Sequence, residues 1–103
     1  MMVLIMNNPS DPKRGEVWKV SLDPTLGSEM KKTRPAIIIS SNALGVLPMK
    51  LIVPITAWND KYQSNIWHIR ISPDTTNGLT KVSAADALQL RAVSVERCIQ
   101  KIG

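Results

Sequence analysis

Gly27 to Ser41, GSEMKKTRPAIIISS, is a short cationic loop that ends on Arg34-Pro35 and passes straight into an apolar run. Ala36 to Ile39 is continuously apolar and, after Ala36, β-branched, the composition of a central strand covered on both faces. The loop therefore sets a permanent positive charge at the mouth of a rigid element, since a guanidinium with a pKa above ~12 does not deprotonate. A second apolar run, Leu51 to Thr56 (LIVPIT), ends on a hydroxyl. Pro54 inside it predicts an edge position or a bulge, because proline cannot donate to a ladder. An arginine and a hydroxyl at two strand ends would make a small phosphodiester site if the fold brings them together.

Outward from these runs the chain reads as short strands. Glu16 to Leu22 alternates, with Trp18, Val20 and Leu22 on one face and Val17, Lys19 and Ser21 on the other, and Asp23-Pro24 closes it. Asn42 to Pro48 and Trp58 to Asn65 read as loops. Ile66 to Ser72 alternates again, which predicts Trp67, Ile69 and Ile71 inward and His68 and Arg70 outward. Pro73 to Gly78 (PDTTNG) is turn chemistry. Thr80 to Ala84 and Ala87 to Val93 read as extended, and Ser94 as the N-cap of a short turn containing Glu96. Five or six short strands with tight connections and little helix predict a small β-barrel, since a flat open sheet would expose apolar edges such as Ala36 to Ile39.

A chain of 103 residues, 44% of them hydrophobic, suits one domain with one core. We place a flexible lead-in at residues 1–13 and the domain at 14–103. The formal net charge of +5 favours an anionic partner such as nucleic acid. The excess is spread along the chain, and Lys31-Lys32-x-Arg34 is its one real cluster. Cys98 is the single cysteine, which excludes an intramolecular disulfide and a cysteine metal site and fits a reducing cytoplasm. Met1 to Met6 is too short for a signal peptide core or the ~20 residues of a membrane span.

KRGEVWKVSLDPTLGSEMKKTRPAIIIS, then LIVPIT, then ALQLRAVSVERCIQKIG, resembles the MazF/PemK (Kid) toxins of bacterial toxin–antitoxin systems, over nearly all of residues 13–103. The resemblance implies an SH3-like barrel, a homodimer, metal-independent cleavage of single-stranded RNA without any cofactor, neutralisation by a cognate antitoxin, and contact with DNA only through an antitoxin complex. It places the active-site arginine on Arg34 and its hydroxyl partner on Thr56. Glu29 falls where some relatives have an assisting acid, and Gln89 where a glutamine contacts RNA, with Ser28 beside Glu29 in the same loop. Three departures stand out. Met30 replaces a frequent glutamine, Leu88 replaces an acidic or polar residue, and the chain stops at Gly103 where relatives continue into a C-terminal helix.

Metal-free cleavage uses the neighbouring 2′-OH as nucleophile and leaves a 2′,3′-cyclic phosphate and a 5′-OH. Arg34 suits the phosphorane, since its planar fork gives two donors to phosphate oxygens. Thr56 can donate to a non-bridging oxygen, and loss of one such donor typically costs ~10²-fold or more in rate. Glu29 is then the available base, or else a salt-bridge partner of Lys31 or Lys32. Lys31 and Lys32 attract phosphates nonspecifically. Trp58 either stacks on a base or closes the barrel end. His68, the single histidine, reads as a surface residue. The gyrase-poisoning CcdB toxins look like the same barrel and inhibit by contact alone; retention of Arg34 and Thr56 favours the nuclease over that binding module. A catalytically weak relative that binds RNA or an antitoxin is the third reading.

Overall fold

The computed structural model describes residues 11–24, 26–29, 32–44 and 48–103. Among them are seven strands: β1 (Val17–Ser21), β2 (Thr33–Ile38), β3 (Met49–Ala57), β4 (His68–Ile71), β5 (Ser83–Asp86), β6 (Arg91–Ser94) and β7 (Cys98–Lys101). All their pairings are antiparallel. The sheet runs β4-β5-β3-β2-β1-β7, with β6 also paired to β3. These ladders do not close into a ring, so the curled sheet is an open relative of the expected barrel. Helical structure among the described residues is limited to 3₁₀ turns of three to five residues.

Strand alternation builds a small core on each face. Trp18, Val20, Leu22, Ala36, Ile38, Ile52 and Val93 form one, with Cys98 packed against it. Val17, Val53, Ile55 and Ala85 form the other, bordered by Ile37, Ile39, Ile71, Leu79 and Ile102. The predicted Trp18/Val20/Leu22 face is buried as expected, and β2 is covered on both sides. Val17 is buried as well, because β1 faces the second core where it meets residues 102–103: Val17 N–H donates to the Gly103 carbonyl and the Val17 carbonyl accepts from Ile102 N–H.

Several expectations are corrected. β3 is central, flanked by β2 on one side and by β6 and then β5 on the other. Pro54 fits there because β6 pairs as far as Ile52 and β5 begins at Ile55. Ile39 N–H donates to Leu51 O, so the alternation makes Ala36↔Pro54 a non-hydrogen-bonded pair and turns the missing N–H toward that seam. The extended run expected from Ala87 to Val93 is broken by a 3₁₀ turn at Ala87–Gln89, with Asp86 Oδ1 accepting from Leu88 N–H. The loop Trp58 to Asn65 contains a 3₁₀ turn, Asp60–Ser64, capped by Asn59. The last strand, Cys98–Lys101, was not expected. Ser94 is the N-cap residue of the Val95–Arg97 turn but makes no side-chain cap bond.

In β4, Arg70 is exposed and Ile71 borders the second core as expected, but the first two residues depart. Ile69, expected inward, is 55% exposed, whereas the His68 side chain, expected outward, is only 9% exposed. β4 is a terminal strand paired only with β5, and the Asp60–Ser64 turn folds Tyr62 over its His68 face. Trp67, expected in the core, is half-buried and outside both clusters.

Asp11 and Pro12, within the expected lead-in, are buried. Asp11 pairs with the buried Lys50 of β3 at 3.3 Å and with Lys13 at 3.3 Å. No helix among the described residues is long and apolar enough to cross a membrane.

Candidate active site

The β2–β3 register pairs Ile38 with Ile52 and Ala36 with Pro54. Continued two residues, it carries Arg34 opposite Thr56. Thr33, Arg34, Pro35, Ile55, Thr56, Ala57, Leu79, Thr80, Lys81 and Ser83 line one concavity of ≈ 170 Å³. Arg34 and Thr56 are both half-buried. Arg34 lies within β2, one residue inside its start, so the ladder with Val20 of β1 holds its backbone rather than the loop. Ser83 is buried and its hydroxyl donates to the Lys81 carbonyl at 2.9 Å, which pins the backbone under Lys81. The sequence reading missed Lys81 and Ser83, whose only signal was one lysine after a Gly turn.

A second concavity, ≈ 310 Å³, is lined by Leu22, Ser28, Glu29, Pro54, Leu88, Gln89, Leu90 and Arg91. Pro54 lines this hollow and Ile55 and Thr56 the first, so one strand is their common wall. Ser28, Glu29 and Gln89 thus sit together, in a hollow whose lining does not include Arg34 or Thr56. Glu29 Oε1 accepts the Leu26 N–H at 2.6 Å and closes its own turn. Gln89 Nε2 lies 3.4 Å from the Ser28 carbonyl.

Two arginines clamp the base of the β1–β2 loop. Arg91 Nη1 donates to the Leu22 carbonyl at 3.3 Å, and Arg97 Nη1 donates to the Ser21 carbonyl at 3.2 Å and to that of Asp23. Leu22 N–H donates to Lys32 O across the same neck. Lys32 is exposed with φ 66°, a left-handed conformation uncommon for a side-chain-bearing residue, and it turns the chain into β2. Met30 and Lys31 lie outside the described residues.

Trp58 lies beyond Thr56 and is half-buried. Its indole N–H donates to Asp60 at 3.1 Å, the Arg70 guanidinium sits 5.5 Å from its ring centre, and Tyr62 meets it edge-on at 5.8 Å. Among the described residues no group of three or more His, Cys, Asp or Glu could hold a metal ion. Burial pushes the half-buried Cys98 thiol above its ordinary value, which keeps it protonated.

The family profile described as PemK-like, MazF-like toxin of type II toxin–antitoxin system matches residues 13–103. The chain belongs to the PemK/MazF toxin family. Its relatives include endoribonuclease MazF9 of Mycobacterium tuberculosis, 34% identical over 97 residues, covering 88% of this chain and 80% of the relative. Endoribonuclease PemK of Escherichia coli is 43% identical over 54 residues, 52% of this chain and 41% of PemK. The crystal structure of MazF (Form-I) from Deinococcus radiodurans superposes with a TM-score of 0.67 at 19% identity, covering 89% of this chain and 79% of that one. The open, curled sheet is therefore the MazF fold.

Proposed function

We propose that this PemK/MazF family member is an endoribonuclease toxin that cuts single-stranded RNA without metal, leaving 2′,3′-cyclic phosphate and 5′-OH ends, and is neutralised by a cognate antitoxin. The observation that carries this reading is the β2–β3 register, which brings Arg34 and Thr56 to one concavity. In the proposed reaction the 2′-OH attacks the adjacent phosphorus. Arg34 and Thr56 donate to the non-bridging oxygens, where negative charge grows in the transition state. Lys81, on the same rim, adds a further positive charge, as do Lys31 and Lys32 to strand attraction.

Glu29 is the one carboxylate lining either concavity among the described residues, and we take it as the proton acceptor. Its Oε1 now holds the Leu26 N–H, so that role requires the 26–29 turn to shift. Ser28 and Gln89 in the larger hollow, and Trp58 beyond Thr56, are the proposed contacts to flanking nucleotides. We take the working form to be a homodimer.

The test is cleavage of single-stranded RNA in EDTA by wild type, Arg34→Ala and Thr56→Ala. Wild type should cut, and each variant should lose ~10²-fold or more in rate. Intact RNA with folded wild type, or variants that cut as well as it does, would overturn the proposal. Gyrase inhibition without RNA cleavage would point instead to a contact inhibitor.

A further inference from the structure

Arg70 stands on the terminal strand β4, yet the strand registers connect it to the candidate active site. β4 pairs Arg70 with Ala84 of β5, and β5 pairs Ala84 with Thr56 of β3. Residues directly opposite one another on antiparallel strands share a face, so Arg70 and Thr56 point to the same side of the sheet with Ala84 between them. Two strand spacings put their Cα atoms roughly 10 Å apart. The β2–β3 register, continued to Arg34, adds that residue to the same row. Two arginines thus flank Thr56, one strand away on one side and two strands away on the other.

Trp58 belongs to this face as well. It lies two residues beyond Thr56, and its N–H donates to the Val82 carbonyl at 3.0 Å, which extends the β3–β5 ladder one step past Ala57↔Ser83. The Trp58 and Arg70 side chains meet across β5, with the guanidinium carbon 5.5 Å from the ring centre. The ring is held by its indole N–H on Asp60 and by Tyr62, edge-on at 5.8 Å. His68, two residues before Arg70, is covered by Tyr62, whereas Arg70 is exposed. No carboxylate among the described residues forms an ion pair with Arg70. A cation–π contact uses the charge of a guanidinium and none of its N–H donors, which leaves those donors for an anion.

We infer that Arg70 and Trp58 form a second RNA subsite, in which Arg70 binds the phosphate of a nucleotide flanking the cut and Trp58 stacks on a flanking base. This rests on the reading of the protein as a nuclease of single-stranded RNA. Both contacts use groups that every nucleotide carries, so the subsite adds affinity and lays the strand across the row without choosing bases. Arg70 is two strands from Thr56, so it holds RNA and takes no part in bond breaking.

The probe is a fluorescein-labelled, random-sequence pool of short 2′-O-methyl RNA, which lacks the nucleophile and survives the titration. Affinity is measured over a range of salt for wild type, Arg70→Gln, Arg70→Lys, Trp58→Leu, Trp58→Phe and Lys19→Gln, after thermal melts show each variant folded. Lys19 is exposed on the face of β1 opposite to Val20, whose partner is Arg34, and its loss controls for net charge alone. Arg70→Gln should weaken binding and lower the slope of log affinity against log salt by about 0.7, the share of one single-strand phosphate. Arg70→Lys and Lys19→Gln should keep the wild-type slope. Trp58→Leu should weaken binding about fivefold or more at an unchanged slope, and Trp58→Phe should retain most of the affinity. With cleavable RNA, Arg70→Gln should raise KM and leave kcat within about twofold.

A wild-type slope in Arg70→Gln, an equal drop in Lys19→Gln, Trp58→Leu that binds as tightly as wild type, or a loss confined to kcat would overturn the inference. Binding is read on uncleavable RNA, so the nuclease reading is judged separately. If wild type leaves cleavable RNA intact, that reading fails by itself, and a salt slope that depends on Arg70 still marks the subsite.

Discussion

At the residue scale the candidate site divides its work between groups that differ in how firmly they are held. Arg34 is anchored in a strand, while Glu29 closes a four-residue turn, its carboxylate accepting the Leu26 N–H and its N–H donating to the Leu26 carbonyl. Glu29→Gln keeps an oxygen for the Leu26 N–H but removes the base, so kcat should fall by ~10²-fold or more with KM little changed. Single-turnover cleavage measures it, and a matched loss in KM would mean that Glu29 only shapes the loop. Glu16 supplies a pH-dependent counterpart in the scaffold. Burial raises its pKa, but the Trp18 indole, the Lys13 N–H and Lys101 together outweigh this and hold the carboxyl below its ordinary value. A lowered folded pKa means stability present above the unfolded value and lost as the pH falls through the folded one. Glu16→Gln should therefore cost under about 1 kcal/mol at neutral pH, given its exposure. Its urea midpoint should converge with that of wild type as the pH drops below the ordinary glutamate value of ~4.3.

At the element scale β3 organises the molecule, since it pairs with three strands and walls both hollows. Its Lys50 is buried with Asp11 as partner, which ties the segment before β1 to the sheet. Asp11→Ala strands a buried ammonium and should lower stability by about 3 kcal/mol. Asp11→Ala/Lys50→Met, which removes both charges, should recover most of that loss, as read by urea denaturation. Equal losses in the single and double variants would show that packing of the segment, not charge, sets the cost. The elements around β3 were unequally legible from the sequence. β1, β2 and β3 announce themselves by alternation or by apolar runs, because each buries enough of its own side chains to impose a period. β4 also shows as an alternating strand, but the burial of His68 was not legible, since its covering comes from Tyr62 in a turn that no periodicity marks.

At the scale of the whole molecule, a net charge of +5 predicts RNA binding that weakens steeply with salt. Light scattering should give twice the chain mass if the proposed homodimer forms, and a monomer at micromolar concentration would count against it. Exposed Met49 and Leu51 on β3 leave apolar surface available for such an association.

The sequence by itself determined the strand-rich class, the presence of β1, β2 and β3, and the Arg34 and Thr56 candidates, because each is encoded in residues adjacent along the chain. Tertiary structure alone decided that Pro54 sits in a central strand, that Glu29 and Gln89 share a hollow, and that His68 faces Asp86. Those facts depend on which strand lies beside which and in what register. A two-residue period specifies which side chains share a face, but it carries no information about the neighbour that covers them.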